Sequence, residues 1–124
     1  MDELQKLLQN PAYFGSGGRN SPEFNSFYRK FSNRFKKELL KLNATDIKFS
    51  KGHFYLSGFF KVGGQWFYFS LGDVRGSFHM VDYQGRLKLL VRTAQHDKDY
   101  TGGSNNYVVI EDGMYQTIVN TFNL

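Results

Sequence analysis

The densest chemistry in the sequence lies in one polar stretch, Arg92-Thr93-Ala94-Gln95-His96-Asp97-Lys98-Asp99-Tyr100-Thr101-Gly102-Gly103-Ser104-Asn105-Asn106-Tyr107. His96 is a candidate general base, Lys98 or Arg92 a cation for a developing oxyanion, and Tyr100 a phenolic acid. Gly102-Gly103-Ser104 could turn backbone N–H groups toward an anion. That is the inventory of a small metal-independent ribonuclease working from the His96–Tyr107 loop. None of these spacings is diagnostic of a catalytic motif, and the same composition builds a solvated loop on Asx-type turns.

Other charged positions say less about chemistry. Asp97 and Asp99 point the same way only in an extended chain, and the three histidines show no metal-ligand spacing. Asp73, in Gly72-Asp73, reads first as a turn residue. No metal and no cofactor is expected. The glycine-rich stretches Gly15–Asn20 and Thr101–Asn106 lack the Gly-Lys-Ser/Thr ending of a phosphate loop. Glu38 falls inside the apolar arc of a basic helix, where a carboxylate needs a partner. Arg34, Arg75 and Arg92 are the candidates, and burial beside Arg92 and Tyr100 would give Glu38 a functional role.

These side chains must be positioned by one small domain of 124 residues. The 8 Tyr, 13 Phe and single Trp are ample for a core, and the absence of cysteine excludes disulfides and thiolate metal sites. There is no signal-peptide pattern and no apolar run of membrane-spanning length, so a cytoplasmic location is expected. The net charge of +5 is uneven: residues 1–62 hold 11 Lys/Arg against 5 Asp/Glu, and residues 63–124 hold 5 against 6. A basic half of this kind favours a polyanionic partner, although the same charge also serves solubility.

Periodicity predicts an α+β fold. One long amphipathic helix packs on an antiparallel sheet of four to six strands, with short helices at both termini. Residues 1–20 read as a short helix followed by a flexible Gly-rich loop. Ser21-Pro22 starts the basic helix of residues 21–42. Phe24, Phe27, Tyr28, Phe31, Phe35, Leu39 and Leu42 form its apolar stripe. Lys30, Arg34, Lys37 and Lys41 make a ridge beside it, widened by Arg29 and Lys36. The sheet occupies residues 45–110, and a terminal helix residues 112–123.

Gly63-Gly64 separates His53–Val62 from Gln65–Leu71, a two-residue hairpin that pairs Val62 with Gln65. Phe60, Phe67, Gly58, Phe69, Leu56 and Leu71 then share the face beneath the helix. The opposite face carries Tyr55, Phe59 and Lys61 against Trp66 and Tyr68. A second hairpin, Ser77–Tyr83 with Arg86–Thr93, adds Arg86, Lys88 and Arg92 to that outer face. Rings interleaved with cations suit unpaired bases and phosphates, so RNA is the favoured ligand. The same rings would serve a protein-interaction domain, or a second core layer beneath the terminal helices. An exposed apolar face would also make a homodimer plausible.

Three stretches carry a resemblance: Lys51–Phe60, Tyr68–Arg75, and Arg92-Thr93-Ala94 with Asp99–Tyr107. Together they resemble small accessory proteins of plasmids and conjugative elements of Gram-positive bacteria. Some small proteins of that setting are anti-CRISPR inhibitors of RNA-guided nucleases. The resemblance implies a bacterial cytosol, a role in transfer or defence evasion, and a nucleoprotein partner such as a CRISPR effector. Many such inhibitors are acidic mimics of DNA. This chain is basic, which points instead toward holding RNA or a nucleic-acid-bound effector.

Overall fold

A computed structural model of the chain describes residues 22–50, 56–71, 88–99, 103–111 and 113–124. The fold is α+β, with a five-stranded antiparallel sheet and two helices among the described residues. Helix α1 spans Pro22–Lys41. The strands are β1 (Thr45–Ser50), β2 (Leu56–Val62), β3 (Gln65–Leu71), β4 (Lys88–Ala94) and β5 (Asn106–Val109), and helix α2 is Met114–Phe122. The strands neighbour one another in chain order. None of the described helices is long and apolar enough to cross a membrane.

The ends of α1 follow from local chemistry. Proline's fixed φ suits the first helical position, where its missing N–H is not needed. At the other end Asn43 takes a left-handed φ of 61°. The Ala44 N–H then donates to the Leu39 carbonyl at 3.1 Å, and the Asn43 N–H to that of Leu40 at 3.1 Å. Carbonyls left without helical donors are thereby satisfied, and the chain turns into β1.

The β2–β3 register is the one that the glycine pair dictates. Val62 faces Gln65, Phe60 faces Phe67, and Leu56 faces Leu71. Gly63 and Gly64 have φ of 57° and 83°, the positive values a two-residue hairpin requires. The Gln65 side chain also donates to the Ala94 carbonyl at 2.9 Å, tying this hairpin to β4. The ladder neighbours of β4 are β3 and β5. Ser77–Tyr83, expected to pair with it, lies outside the described residues, as do the helix and loop expected over residues 1–20, and Asp112 at the expected start of the terminal helix.

One cluster of buried side chains joins both helices to one face of the sheet. Phe31, Phe35 and Leu39 of α1 meet Leu56, Phe60, Phe67, Phe69, Leu89 and Val91, and Met114, Tyr115 and Ile118 of α2 complete it. Phe35 is its hub, with ring centroids 4.8 Å from Phe69 and 5.7 Å from Tyr115. Burying a ring of this kind contributes roughly 2–3 kcal/mol. Phe24 and Phe27, expected in the same stripe, have side chains outside the described set. The terminal helix therefore packs beside α1. It does not cover the opposite sheet face, one of the arrangements the sequence allowed.

Candidate nucleic-acid interface

The outward side of α1 is set by what the inward side buries. With Phe31, Phe35 and Leu39 fixed on the sheet, Arg29, Lys30, Lys36, Lys37 and Lys41 are exposed. At about 100° per residue, Arg29 and Lys36 form one row and Lys30 and Lys37 a second, with Asn33 and Leu40 between them. Leu40 is 55% exposed. Among the described residues, Arg29, Lys30, Lys36 and Lys37 make no ion pair.

Two members of the expected ridge are engaged. Arg34 is half-buried, and its guanidinium carbon lies 5.9 Å from the centroid of the Tyr115 ring. Lys41 pairs with Glu38 at 3.1 Å. That pair corrects the expectation for Glu38, whose partner is Lys41. The sheet stands between Glu38 and Arg92, because α1 packs on the face that carries Val91 while Arg92 points the other way.

The far face of the sheet holds cations over rings. Lys61 stands opposite Trp66, its ammonium 5.4 Å from the indole centroid. Arg92 stands opposite Tyr68 at 4.5 Å, and Lys88 sits 5.2 Å from Tyr107. The centre of this face is closed: Phe59 and Tyr68 are each 3% exposed and pack with Ala94 as a second cluster. Two of the four rings expected to stack on bases are thus enclosed in the protein, because the face forms a second core layer. Trp66 is half-buried. Tyr55 and Arg86 lie outside the described residues.

The loop after β4 is closed on itself. The Gln95 N–H donates to Asp99 Oδ2 at 3.0 Å, and the Asp99 N–H to the His96 carbonyl at 3.3 Å. The Lys98 N–H donates to His96 Nδ1 at 3.1 Å, which places the ring proton on Nε2. The lone pair that a general base would offer at Nδ1 is therefore occupied. Arg92, 2% exposed, donates from Nη1 to the Thr93 carbonyl at 3.1 Å and from Nη2 to that of Asp99 at 2.6 Å.

A buried guanidinium committed to one strand carbonyl and one loop carbonyl anchors the loop to β4 and is not presented to a reacting anion. His96 and Lys98 are exposed at the surface. Tyr100, Thr101 and Gly102 lie outside the described residues. Asp97 leaves Asp99 and pairs with Lys48 of β1. The hydrogen bond from Lys48 is the main cause holding the Asp97 carboxyl below the ordinary carboxylate range, with burial opposing it.

No family model matches the chain, and no curated protein or solved structure does either. Sequence reasoning missed two pairings in this arrangement: Lys48 with Asp97, and Lys88 over Tyr107. The alternation of Lys48 with Ile47 and Phe49 does place it on the outer face. Its position beside the β4–β5 loop depends on an irregularity between Thr45 and Lys48, where Asp46 adopts a φ of 54°. Nothing in the local pattern announces that bulge.

Proposed function

We propose that the protein binds nucleic acid, bare or within a nucleoprotein, through the outward side of α1. The supporting observation is the double row of Arg29, Lys30, Lys36 and Lys37, all exposed and in no ion pair among the described residues. A helix face that served solubility alone would more often mix signs. Here the one carboxylate between Asn25 and Lys41 is taken by Lys41. Cations held at fixed spacing on a helix displace condensed counterions from phosphates, and that release drives sequence-independent binding. Such a surface suits an accessory or inhibitory protein of a mobile element that holds the RNA or DNA of a larger machine.

The test is retention of labelled RNA and DNA over a series of salt concentrations by the parent and by Arg29→Gln/Lys30→Gln/Lys36→Gln/Lys37→Gln. Four phosphate contacts give a log–log salt slope of about −3 to −4. The variant should lose most of that slope while keeping its helical circular dichroism. A slope that the variant leaves unchanged would remove α1 from the interface.

A further inference from the structure

We infer that the form of nucleic acid this surface takes is double-stranded DNA, met through the phosphates that flank one groove. This rests on α1 being the nucleic-acid surface. Single strands are held in grooves where bases stack on open rings. In this protein Phe59 and Tyr68 are enclosed in a core layer, and Lys61 lies over the Trp66 ring. Among the described residues the one exposed large apolar side chain is Leu40, so the outward side of α1 offers no ring to a base. Its offer is charge, on a rigid convex rod.

The spacing of that charge gives the second argument. Arg29 and Lys30 form one level of the helix, and Lys36 and Lys37 the next, seven residues on. At 1.5 Å per residue the two levels stand about 10.5 Å apart. The major groove of B-form DNA is about 12 Å wide. A helix lying across it sets one level against each wall of phosphates, within reach of lysine and arginine side chains. Asn33, midway between the two levels and in the strip between the rows, faces the groove and carries no charge. Duplex DNA also presents one phosphate per about 1.7 Å of axis, twice the density of either strand alone.

The experiment is fluorescence anisotropy with the full chain and five probes of one length: a DNA duplex, its two separated strands, an RNA duplex of the same sequence, and single-stranded RNA. Intrinsic emission is followed in parallel, since Trp66 is the only tryptophan. The DNA duplex should bind about tenfold more tightly than any single strand, with the steeper salt slope, and Trp66 emission should not change at saturation. A single strand that binds as tightly as the duplex, an RNA duplex that matches the DNA duplex, or quenching of Trp66 on binding would each overturn the inference and leave α1 as a nucleic-acid surface. Failure of all five probes to bind would overturn the proposed function itself.

Discussion

Arg92 stands directly opposite Tyr68 in the β3–β4 ladder, its guanidinium carbon 4.5 Å from the ring centroid, and both side chains are buried. Its charge is met by that ring and by the carbonyls of Thr93 and Asp99, with no ion pair to Arg92 among the described residues. A planar fork can reach both carbonyls while lying flat on the ring, and an ammonium cannot. Arg92→Lys should therefore lower stability by about 2 kcal/mol in urea denaturation, a hydrogen bond to a charged group lost in a dry site. A change below about 0.5 kcal/mol would show that the anchor is dispensable.

Glycine has two different jobs in the β2–β3 hairpin, and substitution separates them. A Cβ on Gly58 would sit 2.0 Å from the Lys48 carbonyl oxygen and 2.5 Å from Phe69 Cζ. Gly63 needs only its positive φ, since nothing lies within 4 Å of a Cβ there. Gly58→Ala should cost about 1–3 kcal/mol by thermal denaturation. Gly63→Asn should stay within about 0.5 kcal/mol, because asparagine accepts that backbone conformation. Equal effects at the two positions would mean that the close approach of β1 and Phe69 to Gly58 is wrong.

These glycines also mark the border of what the sequence discloses. Gly63-Gly64 is a local signal, and with strict alternation it fixed every pairing from Leu56↔Leu71 to Val62↔Gln65. Phe31, Phe35 and Leu39 were equally plain, since a helix stripe is a matter of spacing. Arg34 was not. The wheel places it beside Lys30 and Lys37, but Tyr115, far along the chain, draws it down toward α2. Phe59 and Tyr68 show the same limit from the other side. Alternation puts them on the face away from the helices, but whether that face meets water depends on the rest of the fold. Glu38 found Lys41 one turn later on its own helix, in place of Arg34 one turn earlier or the sheet arginines Arg75 and Arg92.

The Lys48–Asp97 pair joins β1 to the loop after β4, and its pH dependence has a definite sign. Lys48 lowers the Asp97 carboxyl's pKa. A carboxylate with a folded value below its unfolded value of about 3.9 adds stability above that value, and the contribution is lost as pH falls through the folded one. In Lys48→Met the Asp97 carboxyl should titrate at higher pH, as read from its carbon shift by NMR. The stability difference between parent and variant should close in acid, below the parent's Asp97 midpoint. An Asp97 midpoint that does not move in the variant would show that Lys48 is not its partner in solution.

Arg34 and Lys37 have the same formal charge on the same helix, yet their exposure predicts different behaviour. Lys37 extends into water and makes no ion pair among the described residues, so Lys37→Gln should reduce the salt slope of DNA binding by about 0.9 and leave stability nearly unchanged. Arg34 spends its guanidinium on the Tyr115 ring, at the seam between α1 and α2. Arg34→Gln should leave the slope almost intact and cost about 0.5–1 kcal/mol in urea denaturation, the range for a cation over a ring near the surface. The two readouts cross, so neither a general loss of charge nor a general loss of folding can imitate the pattern. If Arg34→Gln flattened the slope as much as Lys37→Gln, the phosphates would be meeting the ridge from Lys30 through Arg34 to Lys41, and the two-row geometry on the outward side of α1 would have to be abandoned.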